Sequence, residues 1–177
     1  MKYIAMIAIS LVLTIALVMF VGASFEDPIH TVIVEHEYVP IPTDYEPMAL
    51  EDINEDDAVL LAKTLWGEYR NADDYKGCAA VCWCILNRVD DIRWGDSVKA
   101  VVTQPQQFHG YSDGNPVDAE LLAIARDVLA RWQIEQYCIG DVGRVLPRNF
   151  VYFGGNGTSN RYRDAYDTKT ANYWEGE

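Results

Sequence analysis

The chain has 177 residues, half of them apolar, and a formal net charge of −13. That length suits one domain with extra segments, and the apolar share is that of a globular protein. The acidic balance excludes a nucleic-acid binder, which needs a basic surface, and a surface that grips anionic lipid. Neutral sugars, held by stacking and hydrogen bonds, are compatible with it.

In chain order, Lys2 precedes an uncharged run from Ile4 to about Ala23, ending in Val21-Gly22-Ala23. Residues 1–23 therefore read as a signal peptide, cleaved after those residues, or as a retained N-terminal membrane anchor, since the run is long enough to span a bilayer. Either places the remainder outside the cytoplasm. Residues 24–55 read as an acidic, proline-containing linker, with Pro28, Pro40, Pro42 and Pro47 and no Lys or Arg. Such a segment repels itself and extends. Within it, Thr31–Val39 alternates like a strand.

Residues 56–177 form the expected domain. Asn54 can cap a helix whose first turn carries Glu55, Asp56 and Asp57, acids that suit the positive end of the helix dipole. The spacing predicts this helix to about Asn71. Leu61, Leu65 and Glu68 fall at i, i+4 and i+7 and share one side, so the apolar stripe carries a carboxylate. A carboxylate drawn toward apolar surroundings loses hydration, which favours its protonated form, and a protonated carboxyl is what a general acid supplies. A salt bridge to Arg70 is the alternative use.

Cys78 to Val89 is apolar almost all round, which predicts a buried central helix, closed by the polar Asn87 and Arg88. A short third helix over Ser97–Thr103 is capped by Ser97 and stopped by Gln104-Pro105. The stretch QQFHGYSDGNP reads as a loop, Asp118 caps a fourth helix ending near Trp132, and Phe150–Phe153 reads as a short strand in an otherwise loop-like tail. Four cysteines, Cys78, Cys82, Cys84 and Cys138, permit disulfides outside the cytoplasm, one through Cys138 among the options, in three pairings. No CxxC and no paired histidines suggest a zinc site, so neither metal nor cofactor is expected.

Taken together, Trp66-Gly67-Glu68-Tyr69-Arg70, then Leu86-Asn87-Arg88-Val89, then Pro105-Gln106-Gln107-Phe108, and the tail around Tyr152-Phe153 resemble one family. It is the SleB-like cell wall hydrolases, and the resemblance covers about residues 57 to 177. It implies an α+β, mainly helical, lysozyme-like single catalytic domain with a small β or irregular edge, similar to lytic transglycosylases and goose-type lysozyme. It implies that Glu68 is the catalytic acid and base, cutting the bond between N-acetylmuramic acid and N-acetylglucosamine. Gln107, Phe108, Tyr111 and Tyr152 lie in the segments that match the family's cleft, and a place in the core is the alternative for Phe108. Asp73, Asp74, Asp113 and Asp118 are the candidate second carboxylates, with no role assigned. The expected protein is a monomer acting on peptidoglycan glycan strands, extracellular or wall-associated, secreted or anchored to the outer face of the membrane. A hydrolysing muramidase, a wall-binding protein without activity and an anchored structural subunit are the competing readings.

Overall fold

The computed structural model describes residues 53–137, 141–155 and 159–174. The candidate leader, the linker with its strand-like Thr31–Val39, and Cys138 lie outside the described residues. Four helices and one hairpin make up the rest: α1 (Glu55–Glu68), α2 (Tyr75–Val89), α3 (Val98–Val102), α4 (Ala119–Tyr137), β1 (Tyr152–Gly155) and β2 (Asn160–Arg163). This is the mainly helical fold with a small β edge that the sequence predicts. Among the described residues, no helix is long and apolar enough to cross a membrane.

Local chemistry accounts for the helix starts. The Asn54 carboxamide oxygen accepts from the amides of Asp56 and Asp57. The Asp74 carboxylate accepts from Gly77, the Ser97 hydroxyl from Ala100, and Asp118 from Glu120 and Leu121. Each satisfies an amide that the first helical turn would leave open.

The centre of the fold is α2. Every residue from Cys78 to Arg88 is buried, because α1, α3 and α4 all pack on it. Trp83, wholly buried, is the largest apolar contributor, worth about 1.5–3 kcal/mol relative to exposure. Cys78, Cys82 and Cys84 are free thiols packed as small apolar groups.

Three boundaries differ from the sequence expectation. Helix α1 stops at Glu68, three residues early, because Tyr69 takes an extended conformation (φ −155°) and turns its ring into the core, where its hydroxyl donates to Asp74 at 2.6 Å. Helix α4 continues past Trp132 to Tyr137. The first strand begins at Tyr152 rather than Phe150, since the carbonyls of Phe150 and Val151 are taken by side chains of α2 instead of a neighbouring strand. Its partner β2 was not foreseen. The two run antiparallel with Tyr152 opposite Arg163 and Gly155 opposite Asn160.

Candidate active site

Glu68 is the last residue of α1, two turns beyond the wholly buried Leu61 and one beyond Leu65. The stripe that begins in the core therefore ends at its margin, and Glu68 is half-buried rather than enclosed. Its Oε1 accepts a hydrogen bond from the Gly110 amide at 2.7 Å. One carboxylate oxygen is thereby oriented, and no cation is needed to hold it.

Gly110 reaches Glu68 because two glycines let two backbones touch. A Cβ on Gly67 would fall 1.8 Å from the Gly110 carbonyl oxygen, and a Cβ on Gly110 would fall 2.4 Å from the Gly67 carbonyl carbon. Only residues without a side chain allow that approach. Asn115 closes the arrangement. Its carboxamide donates to the carbonyls of Gly110 at 2.7 Å and Lys63 at 3.0 Å, and the Lys63 ammonium donates to the Asp113 carbonyl at 2.7 Å. The loop 108–115 is thus strapped to the end of α1. Nothing in the local sequence singled out Asn115 or Lys63, because the contact spans about fifty positions.

Upstream of that loop, Gln106 adopts φ 66°, a left-handed conformation uncommon for a side-chain-bearing residue. The turn it makes after Pro105 sends Phe108 into the core and brings Gln107 to Arg88. Arg88 is 3% exposed. Its Nη1 donates to Gln107 Oε1 at 3.0 Å and its Nε to the Val151 carbonyl at 2.7 Å. The guanidinium lies over the rings of Trp94 (4.2 Å) and Phe108 (4.9 Å). Burial pulls its pKa below the ordinary value, yet an arginine stays charged, so this cation is held by dipoles and ring faces. Asn87 beside it donates to the carbonyls of Pro147 and Phe150 and accepts from Arg144. The Asn-Arg pair therefore does not merely close α2; it joins the helix to Gln107 and to the segment before the hairpin.

The remaining candidates fall into place around this frame. Phe108 is 5% exposed and packs on Phe153 at 5.6 Å, so it supports the loop from beneath and offers no open face. Tyr111, expected in an exposed loop, is half-buried, and its hydroxyl donates to Asp113 at 2.5 Å. Burial, and then that carboxylate, push its pKa to about 12. Tyr152 stands edge-on to Trp94 at 5.5 Å. Three of the four candidate second carboxylates have other partners: Asp74 and Asp118 cap helices, and Asp113 receives Tyr111. Asp73 lines a separate groove of about 210 Å³ with Trp66, Arg70 and Asp118; Glu68 and Gln107 are not among its walls. Among the described residues no cluster of three or more His, Cys, Asp or Glu is placed to hold a metal ion.

Residues 72–140 match the family model described as Cell Wall Hydrolase. The match takes in Asn87, Arg88, Gln107, Phe108 and Tyr111 and begins four residues after Glu68. No curated protein and no solved structure gave a significant match.

Proposed function

From the premise that residues 72–140 carry a cell wall hydrolase domain, whose family name implies cleavage of peptidoglycan, we propose that this chain is a lytic transglycosylase with Glu68 as its single acid and base. The observation that carries the reading is the Glu68–Gly110 hydrogen bond. It fixes one oxygen of a half-buried carboxyl and leaves the other to exchange a proton with substrate.

The reaction balances on one residue. Glu68 donates its proton to the glycosidic oxygen as that oxygen leaves the anomeric carbon of N-acetylmuramic acid. The 6-hydroxyl of the same sugar forms the new bond to the anomeric carbon, and its proton returns to Glu68. The product is a 1,6-anhydro sugar, and no water is consumed. A hydrolase of the two-carboxylate kind needs a partner at ~5 Å or ~6.5–9.5 Å. The engagement of Asp74, Asp113 and Asp118 elsewhere supports the one-carboxylate scheme. Gln107, fixed by Arg88, is suited to an acetamido group, and Tyr111 and Tyr152 to stacking on pyranose faces. The chain would act outside the cytoplasm, as a monomer, secreted or anchored through residues 1–23, with residues 24–55 as spacer.

The test is mass analysis of fragments released from purified peptidoglycan by the full chain and by Glu68→Gln. The amide can still accept from Gly110, so the variant folds, and turnover falls by about 10²–10⁴. Wild-type fragments one water lighter than hydrolytic ones support the proposal. Reducing-end fragments would make the chain a muramidase, and binding without release would make it a wall-binding protein.

A further inference from the structure

We infer that the outer face of the β1–β2 hairpin is a second binding surface, which takes the carboxylate-bearing glycan strand of peptidoglycan beyond the cleft. The inference rests on the substrate class proposed above and extends it to residues outside the Glu68 loop.

Strand alternation divides the hairpin into two faces. Phe153 and Tyr162, paired across the strands and 5.8 Å apart, face the core, where Tyr162 is 2% exposed. Tyr152, Gly154, Arg161 and Arg163 therefore share the other face. Gly154 keeps it flat, with open space where a Cβ would stand. Tyr166 joins it, edge-on to Tyr152 at 6.0 Å and 79% exposed. That exposure leaves the Tyr166 ring open to the apolar face of a sugar.

The cations on this surface are unneutralised. Arg163 lies 5.8 Å from the Tyr152 ring and Arg161 4.9 Å from the Tyr173 ring. Among the described residues neither arginine pairs with a carboxylate; Arg70 and Arg88, which lie over aromatic rings, share that property, and Arg93, Arg126, Arg131, Arg144 and Arg148 are paired. The Arg163 Nε is buried without an acceptor. In a chain of net charge −13, two guanidinium groups without carboxylate partners, beside the exposed Tyr166 and the half-buried Tyr152 and Tyr173, suit a ligand with both pyranose faces and carboxylates. A wall glycan has both: sugar rings in series, with the carboxylates of the lactyl groups and stem peptides hanging from them.

The surface is tied to the Glu68 loop through packed side chains. Tyr152 touches Trp94, Trp94 carries Arg88, and Arg88 holds Gln107, three residues before Gly110.

The test uses the full chain carrying Glu68→Gln, so that strands bind without being cut, with purified peptide-bearing glycan strands and neutral N-acetylglucosamine oligomers as probes. Arg161 and Tyr166 are exposed, so alanine at either should leave the melting temperature unchanged. Each substitution should weaken strand binding by about three- to tenfold. Arg161→Ala should also flatten the salt dependence of strand binding and spare the neutral oligomers; Tyr166→Ala should weaken both probes. Strand affinity unchanged in both variants overturns the inference, even if the wild-type chain cleaves wall. Conversely, variants that lose strand binding, beside a chain with Glu68 intact that releases no fragments, would uphold this surface and overturn the enzymatic reading.

Discussion

At the scale of single residues, the most exacting position is a glycine. Gly67 precedes the candidate acid, and its contact with Gly110 lets the loop amide reach Glu68. Gly67→Ala would place a methyl group 1.8 Å from a backbone oxygen, which no rotamer change can relieve. The loop must move, at a cost of about 1–3 kcal/mol, and wall-cleaving activity should fall with it while the helices persist. Thermal melting and turnover on purified wall, measured together, check this. Wild-type turnover in the variant would mean that Gly110 has no part in orienting Glu68. The sequence marked Glu68 by its spacing, but the reason for Gly67 lies forty-three positions away, outside the reach of any local pattern. Phe108 is the reverse case. Its motif drew attention as a cleft residue, and its burial makes it a support.

Among elements, the junction of α2, α4 and the segment before the hairpin depends on Glu135. Its carboxylate accepts from Arg144 at 2.8 Å and lies 3.2 Å from Arg148, while Arg144 also donates to Asn87. Burial pushes its pKa up, but the hydrogen bonds and charges of the two arginines outweigh burial and hold it below the ordinary 4.5. The unfolded chain therefore takes up this proton first as pH falls. Stability from the pair is present above about pH 4.5 and is lost as pH drops through the lower folded value. Glu135→Gln should cost about 2 kcal/mol at neutral pH, with a shallower loss of stability between about pH 5 and pH 3 than the wild type shows. Denaturant unfolding at a series of pH values measures both. Equal slopes in the two proteins would remove Glu135 from the acid response. The helices of this junction were readable from apolar periodicity, and their pairing by half-buried ions was not, since charged residues in a sequence look alike whether solvated or enclosed.

For the molecule as a whole, the core is held by packing, and its described cysteines are buried in it as free thiols. Cys78, Cys82 and Cys84 are buried. Burial raises all three thiol pKa values, Cys78 to about 12 and Cys84 to about 11. The Cys78 thiol also donates to the Asn71 carbonyl at 3.2 Å. The thiolate is the reactive form, so these three should resist a thiol reagent in the native protein at mildly alkaline pH and react together on unfolding. Rapid native labelling at any of them, mapped by peptide mass, would show that the core opens more readily than its packing implies.

The number and order of the helices, their caps and the burial of α2 were determined by the sequence alone, because periodicity and capping are local and each residue's neighbours are close in the chain. So was the choice of Glu68 as the residue to watch, through motifs that resemble a family. Tertiary structure decided what those motifs do. It made Arg88 a buried tie between Gln107 and Val151, took Phe150 and Val151 out of the strand, and gathered Tyr152, Arg161, Arg163 and Tyr166 on one face of a hairpin whose second strand has no local signature. These are long-range pairings of polar groups, and a hydrogen bond between residues sixty positions apart leaves no period in the sequence for a reader to find.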